Sequence, residues 1–432
     1  MYKACTEICT IQRVANSDQL TTDYWQLTTA MLRSFEQALA AVKEKLSAAA
    51  PCPGTETLPL GEVRGRVLAE DVFADRDYPP FNRSTRDGYA VRSADVSEAP
   101  ATLECLGEVR AGEHFGRTAG AGACVQIMTG APLPAGADAV VMVEHTKTDG
   151  SSVRVERTVV PHENVVQQGS EAAAGALVLR RGRRLGAGEI GLLASVGKAQ
   201  VAVFARPKVA ILPTGDEVVP VEQRPEWFQI RNSNALTLAA QVEKAGGIPH
   251  VLGIAPDEKE ALRSLILEGL KSDLLLLSGG ISAGKYDHVA EVLSELGAEI
   301  LFQGVAIRPG KPLTFGRVRE KFFFALPGNP VSTYVTFELF ARPALAMLGG
   351  ADFDPPVFLR ARLAEPFRQR HGLTAFMPAR VELRSGDPVV ELVGWQGSGD
   401  LVGVAAANCF LVVHPAQTEM SAGDWADVLP KN

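Results

Sequence analysis

No stretch of the sequence is long and apolar enough to cross a bilayer. Its longest runs without a formal charge, residues 118–137 and 401–418, are broken by Gly, Pro, Asn, Gln or Thr, so no membrane partner is expected. A basic surplus is also missing. The net charge is −7 with both signs interspersed, whereas nucleic acid demands a concentrated basic face, so no nucleic-acid partner is expected either. Cysteine is scarce and scattered, with six in 432 residues: Cys5, Cys9, Cys52, Cys105, Cys124 and Cys409. Only Cys5 and Cys9 are close, and they lack the third cysteine of an iron–sulfur motif. Incidental thiols in a reducing, cytoplasmic setting are the simplest inference. The seven histidines are dispersed, with no HExxH and no Cys/His set for zinc, and there is no GxxxxGK(S/T) phosphate loop. Neither an internal repeat nor a low-complexity tract is found. Residues 1–30 are polar and Thr-rich without the basic start, apolar run or cleavage site of a signal peptide, and are expected to be a dispensable, disordered extension.

What is present describes a soluble globular protein: 46% hydrophobic, 22% charged, with 41 Gly and 27 Pro marking many turns. Its length implies roughly two to four domains. A helix opens at Ser34, whose capping box with Gln37 precedes Phe35, Ala38, Leu39, Val42 and Leu46 at helical spacing. A second, shorter helix is expected over residues 60–72. Residues 100–165 read as β-structure, with apolar runs at 103–106, 124–128, 139–143 and 153–155 separated by turns. A short helix over 188–197 and a strand over 200–204 follow, and Arg206-Pro207 marks a boundary.

From 208 to 350 the pattern is the βαβ rhythm of a parallel sheet. Strands are expected at 209–212, 248–254, 274–277, 313–315 and 322–326. Helices alternate with them over 235–245, from an Asp257/Glu260 capping box to 270, and over 289–296. A last helix spans 331–348, with Asn329 at its N-cap and Pro330 at its first position. Residues 355–432 read as a small β domain, with strands at 357–363, 389–393, 409–413 and 425–429.

The leucines at 274–277, ended by Ser278-Gly279-Gly280, read as a strand buried on both faces, because continuous apolarity is what a helix-covered parallel sheet requires. The loop behind it carries Gly279, Gly280, Ser282, Gly284, Lys285 and Asp287. Backbone N–H groups there favour anions and Asp287 suits a cation; a plain tight turn is the alternative. Residues 280–284 match GxSxG, but the loop is too long for a nucleophile elbow. Open α/β sheets bind ligands at the carboxyl ends of their strands, which would gather Asp216, Glu217, Asp257, Asp287 and the turn 327–330 near Lys285, Arg308 and Lys311. Oxygen donors beside phosphate point to Mg²⁺ rather than zinc. Plainer readings stand beside these: Asp257 as an N-cap, Glu217 as a solvated charge, Thr129 as a turn cap, and His288 as a helix-start residue.

Six motifs, taken in order from about Met31 to the C-terminus, carry a resemblance. Residues 86–90 (RDGYA), 127–131 (IMTGA), 213–217 (PTGDE), 278–284 (SGGISAG) with Asp287, 308–312 (RPGKP) and 326–330 (LPGNP) are similar to the MoeA family, molybdopterin molybdenumtransferases related to the C-terminal domain of gephyrin. The resemblance implies a multidomain α/β plus β fold: a discontinuous domain I (31–75 and 166–206), an inserted β-rich domain II (76–165), a central three-layer α/β/α molybdopterin-binding-like domain III (207–350) and a small C-terminal β-barrel, domain IV (351–432). It implies a homodimer that inserts molybdate into adenylylated molybdopterin with Mg²⁺ and releases AMP. Carried over by position, Asp87 and Thr129 would complete the site of the other subunit. Glu217, Asp257 and Asp287 would surround the metal and adenylate, with Gly279, Gly280, Ser282 and Gly284 against the pterin or its phosphate. Lys311 and Arg308 would be oxyanion ligands, Pro327 and Pro330 would shape the pocket wall, and Arg380 and Ser398 would contribute from the last domain. Arg86 stands where the family often has methionine, and Gly304 and Arg308 stand where some members place lysines; arginine keeps the charge but prefers bidentate contacts. A non-catalytic molybdopterin binder or scaffold of gephyrin type is the rival reading. A nucleotide hydrolase of the competence-damage type would leave the motifs of 76–165 and 355–432 without a role.

Overall fold

The structure is a computed structural model that describes residues 32–49, 53–280, 288–369, 372–384 and 386–431. The chain divides into two compact units. One holds the described residues up to Glu56, Gly65–Val67 and everything from Val203 onward; the other holds Thr57–Arg64 and Leu68–Ala202.

Helix α1 (Phe35–Ala49) starts as its sequence demands. Ser34 Oγ accepts the Gln37 N–H at 3.2 Å, and Gln37 Oε1 accepts the Ser34 N–H at 3.0 Å, satisfying two donors that the first turn cannot. Its stripe of Phe35, Ala38, Val42 and Leu46 is buried, with Phe35 edge-on to Phe340 and Phe376 at 5.7 and 5.9 Å between ring centres.

In the second unit the expected helix over 60–72 is only a 3₁₀ turn, Leu60–Glu62. Gly65 and the exposed Arg64 break its apolar face, and Val72–Phe73 is extended. The β-rich stretch forms a six-stranded sheet of β1 (Gly88–Val91), β2 (Ala101–Val109), β3 (Ala123–Ile127), β4 (Ala139–Met142), β5 (Thr146–Asp149) and β6 (Ser152–Val155), in the order β4-β1-β3-β2-β6-β5. β1 is buried along its whole length, and a Cβ at Gly88 would lie 1.9 Å from the Val141 carbonyl oxygen, so only glycine fits. Helix α2 (Ala187–Ser195) follows the sheet.

The first unit contains a second six-stranded sheet. Along the chain come β7 (Lys208–Pro213), α3 (Ser233–Lys244), β8 (Ile248–Val251), α4 (Lys259–Gly269), β9 (Leu274–Ser278), α5 (His288–Glu295), β10 (Glu299–Gln303), β11 (Thr314–Val318) and β12 (Lys321–Leu326). Spatially the order is β8-β7-β9-β12-β11-β10. Leu274 and Leu276 pack into one core with α3, while Leu275 and Leu277 pack into another with α4 and α5, which is the three-layer arrangement that uninterrupted leucines imply. The parallel rhythm covers only four strands. Just two residues separate β11 from β12, and Arg319 between them takes φ 55°, so that pair is an antiparallel hairpin.

One helix start and the continuity of another helix differ from expectation. The Asp257/Glu260 capping box does not form: Glu258 is the N-cap and makes no side-chain bond, while the Asp257 N–H is taken by Asp216 Oδ1 at 3.0 Å. The long helix after Asn329 is interrupted. It runs as α6 (Pro330–Thr336), a π-turn over Phe337–Ala341, and α7 (Arg342–Leu348), because Pro343 has no N–H to give the carbonyl four residues back. Asn329 sits at the N-cap, but its side chain does not cap.

The C-terminal part is a closed five-stranded barrel. Its strands are β13 (Leu359–Leu363), β14 (Thr374–Arg384), β15 (Asp387–Leu392), β16 (Cys409–Val413) and β17 (Trp425–Pro430), with helix α8 (Leu401–Ala406) between β15 and β16. The ring β14-β15-β13-β17-β16 closes by pairing β16 with β14. Ala375, Met377 and Ala379 of β14 face the barrel core, while Phe376 packs against the α/β core. The pair Ile307–Arg308 runs parallel to Thr374–Ala375, which ties the segment before β11 to the barrel.

Candidate functional site

The carboxyl ends of β7, β9 and β12 converge. Asn232 caps α3 by accepting the Ala235 N–H at 3.2 Å. That frees the Asn234 amide to donate to Ser278 Oγ at 2.9 Å and to the Gly328 carbonyl at 2.7 Å, which joins the β9 and β12 loops. Gly279 and Gly280 turn the chain with φ of 98° and 65°. A Cβ on Gly279 would stand 2.7 Å from the Thr214 carbonyl oxygen, and one on Gly280 would stand 2.6 Å from Val289 Cγ2. The loop therefore leaves the sheet pressed against the β7 end, with backbone rather than side chain facing outward. The Thr214 hydroxyl is buried beside it and has no hydrogen-bond partner among the described residues.

Carboxylates stand at the same edge. Asp216 accepts the Asp257 N–H, so the β7 and β8 loops meet, and Glu217 folds over Gly215, where a Cβ would come 2.4 Å from Glu217 Oε2. All three carboxylates are exposed. Among the described residues no group of three or more His, Cys, Asp or Glu stands close enough together to hold a metal. Ser282, Gly284, Lys285 and Asp287 lie outside the described residues. The described donors are hard oxygens, which fit Mg²⁺, an ion commonly held by one or two carboxylates plus substrate phosphates.

A second group lines an open cleft of about 1510 Å³ bounded by residues 307–312, Asn329, Ser332 and the barrel loop 394–400. Arg308, Lys311 and Ser398 all border this cleft. Arg308 is exposed and Lys311 half-buried, and neither has a carboxylate partner among the described residues. The Ser398 carbonyl accepts the Val331 N–H at 2.9 Å, so the barrel loop is moored to the start of α6. Asp400 also borders the cleft. Its carboxylate takes the Gly403 N–H at 3.1 Å and the Gln396 N–H at 3.0 Å, and these amides hold it below the usual carboxylate range. Asp400 therefore stays ionised while it caps α8, and among the described residues no ion pair joins it to Arg308 or Lys311.

The remaining expected residues lie elsewhere. Pro327 and Pro330 frame the β12–α6 turn without lining the cleft, the Pro327 carbonyl accepting the Thr333 hydroxyl. Arg380 is on an exposed face of β14, paired with Glu382 at 2.8 Å, and does not line the cleft. Asp87 and Thr129 belong to the second unit, where they bind each other: Asp87 Oδ1 accepts the Thr129 N–H and hydroxyl, both at 2.7 Å. The Thr129 hydroxyl first, and its amide second, hold the Asp87 carboxyl below its ordinary value. Sequence reasoning missed Asn234, Thr214, Trp395 and Asp400. Asn234 stands in a polar run, 231–234, that carries no motif, and Trp395 adjoins the Gly-rich loop 397–400 without any motif of its own.

Comparison with known proteins matches three family descriptions along the chain. Residues 33–197 match the MoeA N-terminal region (domain I and II), residues 210–347 a "probable molybdopterin binding domain", and residues 360–431 the MoeA C-terminal region (domain IV). A molybdopterin molybdenumtransferase of Staphylococcus epidermidis is 34% identical over 375 residues, 86% of this chain and 90% of its own length. One from Staphylococcus aureus is 34% identical over 378 residues with the same coverage. The crystal structure of a molybdopterin biosynthesis moeA protein from Pyrococcus horikoshii superposes with a TM-score of 0.77 at 29% identity, covering 92% of this chain and 100% of that one.

Proposed function

Because the chain belongs to the MoeA family, we propose that it is a molybdopterin molybdenumtransferase of molybdenum cofactor biosynthesis, inserting molybdate into adenylylated molybdopterin and releasing AMP. One observation carries the reading: two cations without carboxylate partners, Arg308 and Lys311, share a cleft with Ser398 in the unit whose strand ends also gather Asp216, Glu217 and Asp257. A tetrahedral dianion suits the first group. Arg308 offers a planar fork and Lys311 a compact charge, and Ser398 adds a hydroxyl, so molybdate is held by charge-assisted hydrogen bonds. The phosphoanhydride of the substrate suits the second group. There the backbone of Gly279 and Gly280 approaches the pterin phosphate closely, since no side chain intervenes, and Ser282 and Gly284 are assigned to the same ligand.

Glu217, Asp257 and Asp287 would hold Mg²⁺, which when bound would supply charge neutralisation for the anhydride, whose cleavage by water releases AMP. The chain's own part is to bring the dithiolene end of the substrate to the oxyanion seat and to keep its anhydride at the carboxylates. Proximity and fixed charge, rather than a covalent enzyme intermediate, supply the rate. Pro327 and Pro330 fix the β12–α6 turn and so the pocket wall beside Asn329. The protein acts as a cytoplasmic homodimer of four-domain subunits, in which the Asp87–Thr129 pair of one copy completes the site of the other. Thr129 keeps Asp87 ionised there, so it serves as a fixed negative charge or a hydrogen-bond acceptor.

Purified protein given adenylylated molybdopterin, molybdate and Mg²⁺ should release AMP and yield cofactor able to activate an apo-molybdoenzyme. Tight binding without AMP release would refute the reading and favour a non-catalytic binder.

A further inference from the structure

A cleft of about 1510 Å³ is far larger than a tetrahedral oxyanion requires, and a seat for oxygen atoms has no use for an apolar wall. This cleft has one. Besides its cations it is lined by Leu373, Val402, Pro312 and Trp395. Trp395 is half-buried and packs against both the α/β core and the barrel core. Gly403 of α8 presses on it as well: a Cβ there would fall 2.8 Å from Trp395 Cβ. The side chain is therefore immobilised from behind by three elements while it still borders the cleft.

A fixed aromatic wall beside a cationic floor matches a ligand that is a flat ring at one end and an anion at the other. The substrate of the proposed reaction has two such rings, both fused nitrogen heterocycles: the pterin and the adenine. We propose that Trp395 is a substrate-binding residue that stacks on one of these heterocycles beside the molybdate seat formed by Arg308 and Lys311. The proposal rests on the reading of the reaction given above and goes beyond it by assigning the organic part of the substrate to this cleft. Stacking of a base on an aromatic side chain changes affinity by about 5- to 150-fold, and it depends on a π-face rather than on apolar bulk.

The test uses the full chain with Trp395→Phe, which keeps a smaller π-face, and Trp395→Leu, which keeps bulk without one. Binding of molybdate, AMP, molybdopterin and adenylylated molybdopterin is measured by calorimetry, and AMP release is followed as KM and kcat. Trp395 is one of four tryptophans, so ligand quenching that is present in the wild type and absent in Trp395→Phe reports on it alone. Trp395→Leu is expected to raise the KM for adenylylated molybdopterin by about tenfold or more, with molybdate affinity unchanged and Trp395→Phe within about threefold of wild type. Quenching by AMP assigns the adenine, and quenching by molybdopterin assigns the pterin. Unchanged KM in Trp395→Leu overturns the proposal, as does a parallel loss of molybdate binding, which marks a purely structural role. Failure of the wild type to release AMP would instead refute the reaction, so the two outcomes are separable.

Discussion

Replacing Gly280 by alanine probes how the β9 loop is seated. The new Cβ would lie 2.6 Å from Val289 Cγ2 and 2.7 Å from Thr214 Oγ1, at a φ of +65°. Two costs follow: about 1–2 kcal/mol for an L-residue in the left-handed region, and about 1–3 kcal/mol for overpacking against buried neighbours. Together they predict a loss of roughly 2–5 kcal/mol in the first compact unit. Only the second cost involves Val289. In a double-mutant cycle, Val289→Ala removes the clashing methyl, so the pair should be more stable than the sum of the single changes by about 1–2 kcal/mol. Gly279→Ala is the control: its Cβ meets the Thr214 backbone oxygen at 2.7 Å, so Val289→Ala should give it no relief. Scanning calorimetry would follow the transition of the α/β unit, alongside AMP release. A neutral Gly280→Ala, or strictly additive effects with Val289→Ala, would refute the picture of a loop wedged between β7 and α5.

Lys311→Ala should weaken molybdate binding by about 10- to 150-fold, the range for one charge-assisted hydrogen bond, while leaving the melting temperature unchanged; equal affinities would remove Lys311 from the seat. Asp287→Asn should lower turnover with the fold intact, and an unchanged rate would remove Asp287 from the reaction. Thr129→Val removes the larger of the two bonds that depress the Asp87 pKa, so that pKa should rise toward its ordinary value. The depressed carboxyl adds stability that is present above its unfolded pKa and lost as pH falls through the folded one. The variant should therefore lose activity and stability at a higher pH on the acid side, as read from pH–rate profiles and acid unfolding. Deleting residues 1–30 should leave both folding and AMP release intact, and an inactive product would refute that expectation.

Much of the α/β unit is legible in the sequence because burial on two faces leaves no room for alternation. The leucines of β9 divide between two cores, and the Ser34–Gln37 box fixes the start of α1 from its own hydrogen-bond chemistry. The longest barrel strand, β14, was not expected. Pro378 stands in its middle, and Arg380, Glu382 and Arg384 alternate through its second half, so neither a continuous apolar run nor a break-free pattern marks it. Its Phe376 faces one core and its Met377 another, which only the closed ring reveals. Helix α8 is too short for a periodic signal, and Asp400 gives it a cap that reads in the sequence as loop. The Asp257 box shows a different limit: a local motif lost to a long-range partner, Asp216, that the sheet brings alongside. At the site, each motif points to a loop, but which loops share a wall depends on strand order. That order joins 308–312 to 394–400 and leaves Arg380 on another face.

The short ladder between Ile307–Arg308 and Thr374–Ala375 bears on how such proteins can exchange parts. The loop carrying Arg308 and Lys311 is bonded to its own sheet, through Gly304 N–H to the Leu313 carbonyl and Val305 N–H to the Lys311 carbonyl, and also to the first rungs of β14, with Thr374 N–H on the Ala306 carbonyl. Recombination between relatives at the apparent boundary near residue 350 would keep the loop with one parent and its ladder with the other. The barrel is therefore not a portable module unless residues 306–312 travel with it, and the cationic seat is inherited as a joint property of two segments distant in sequence.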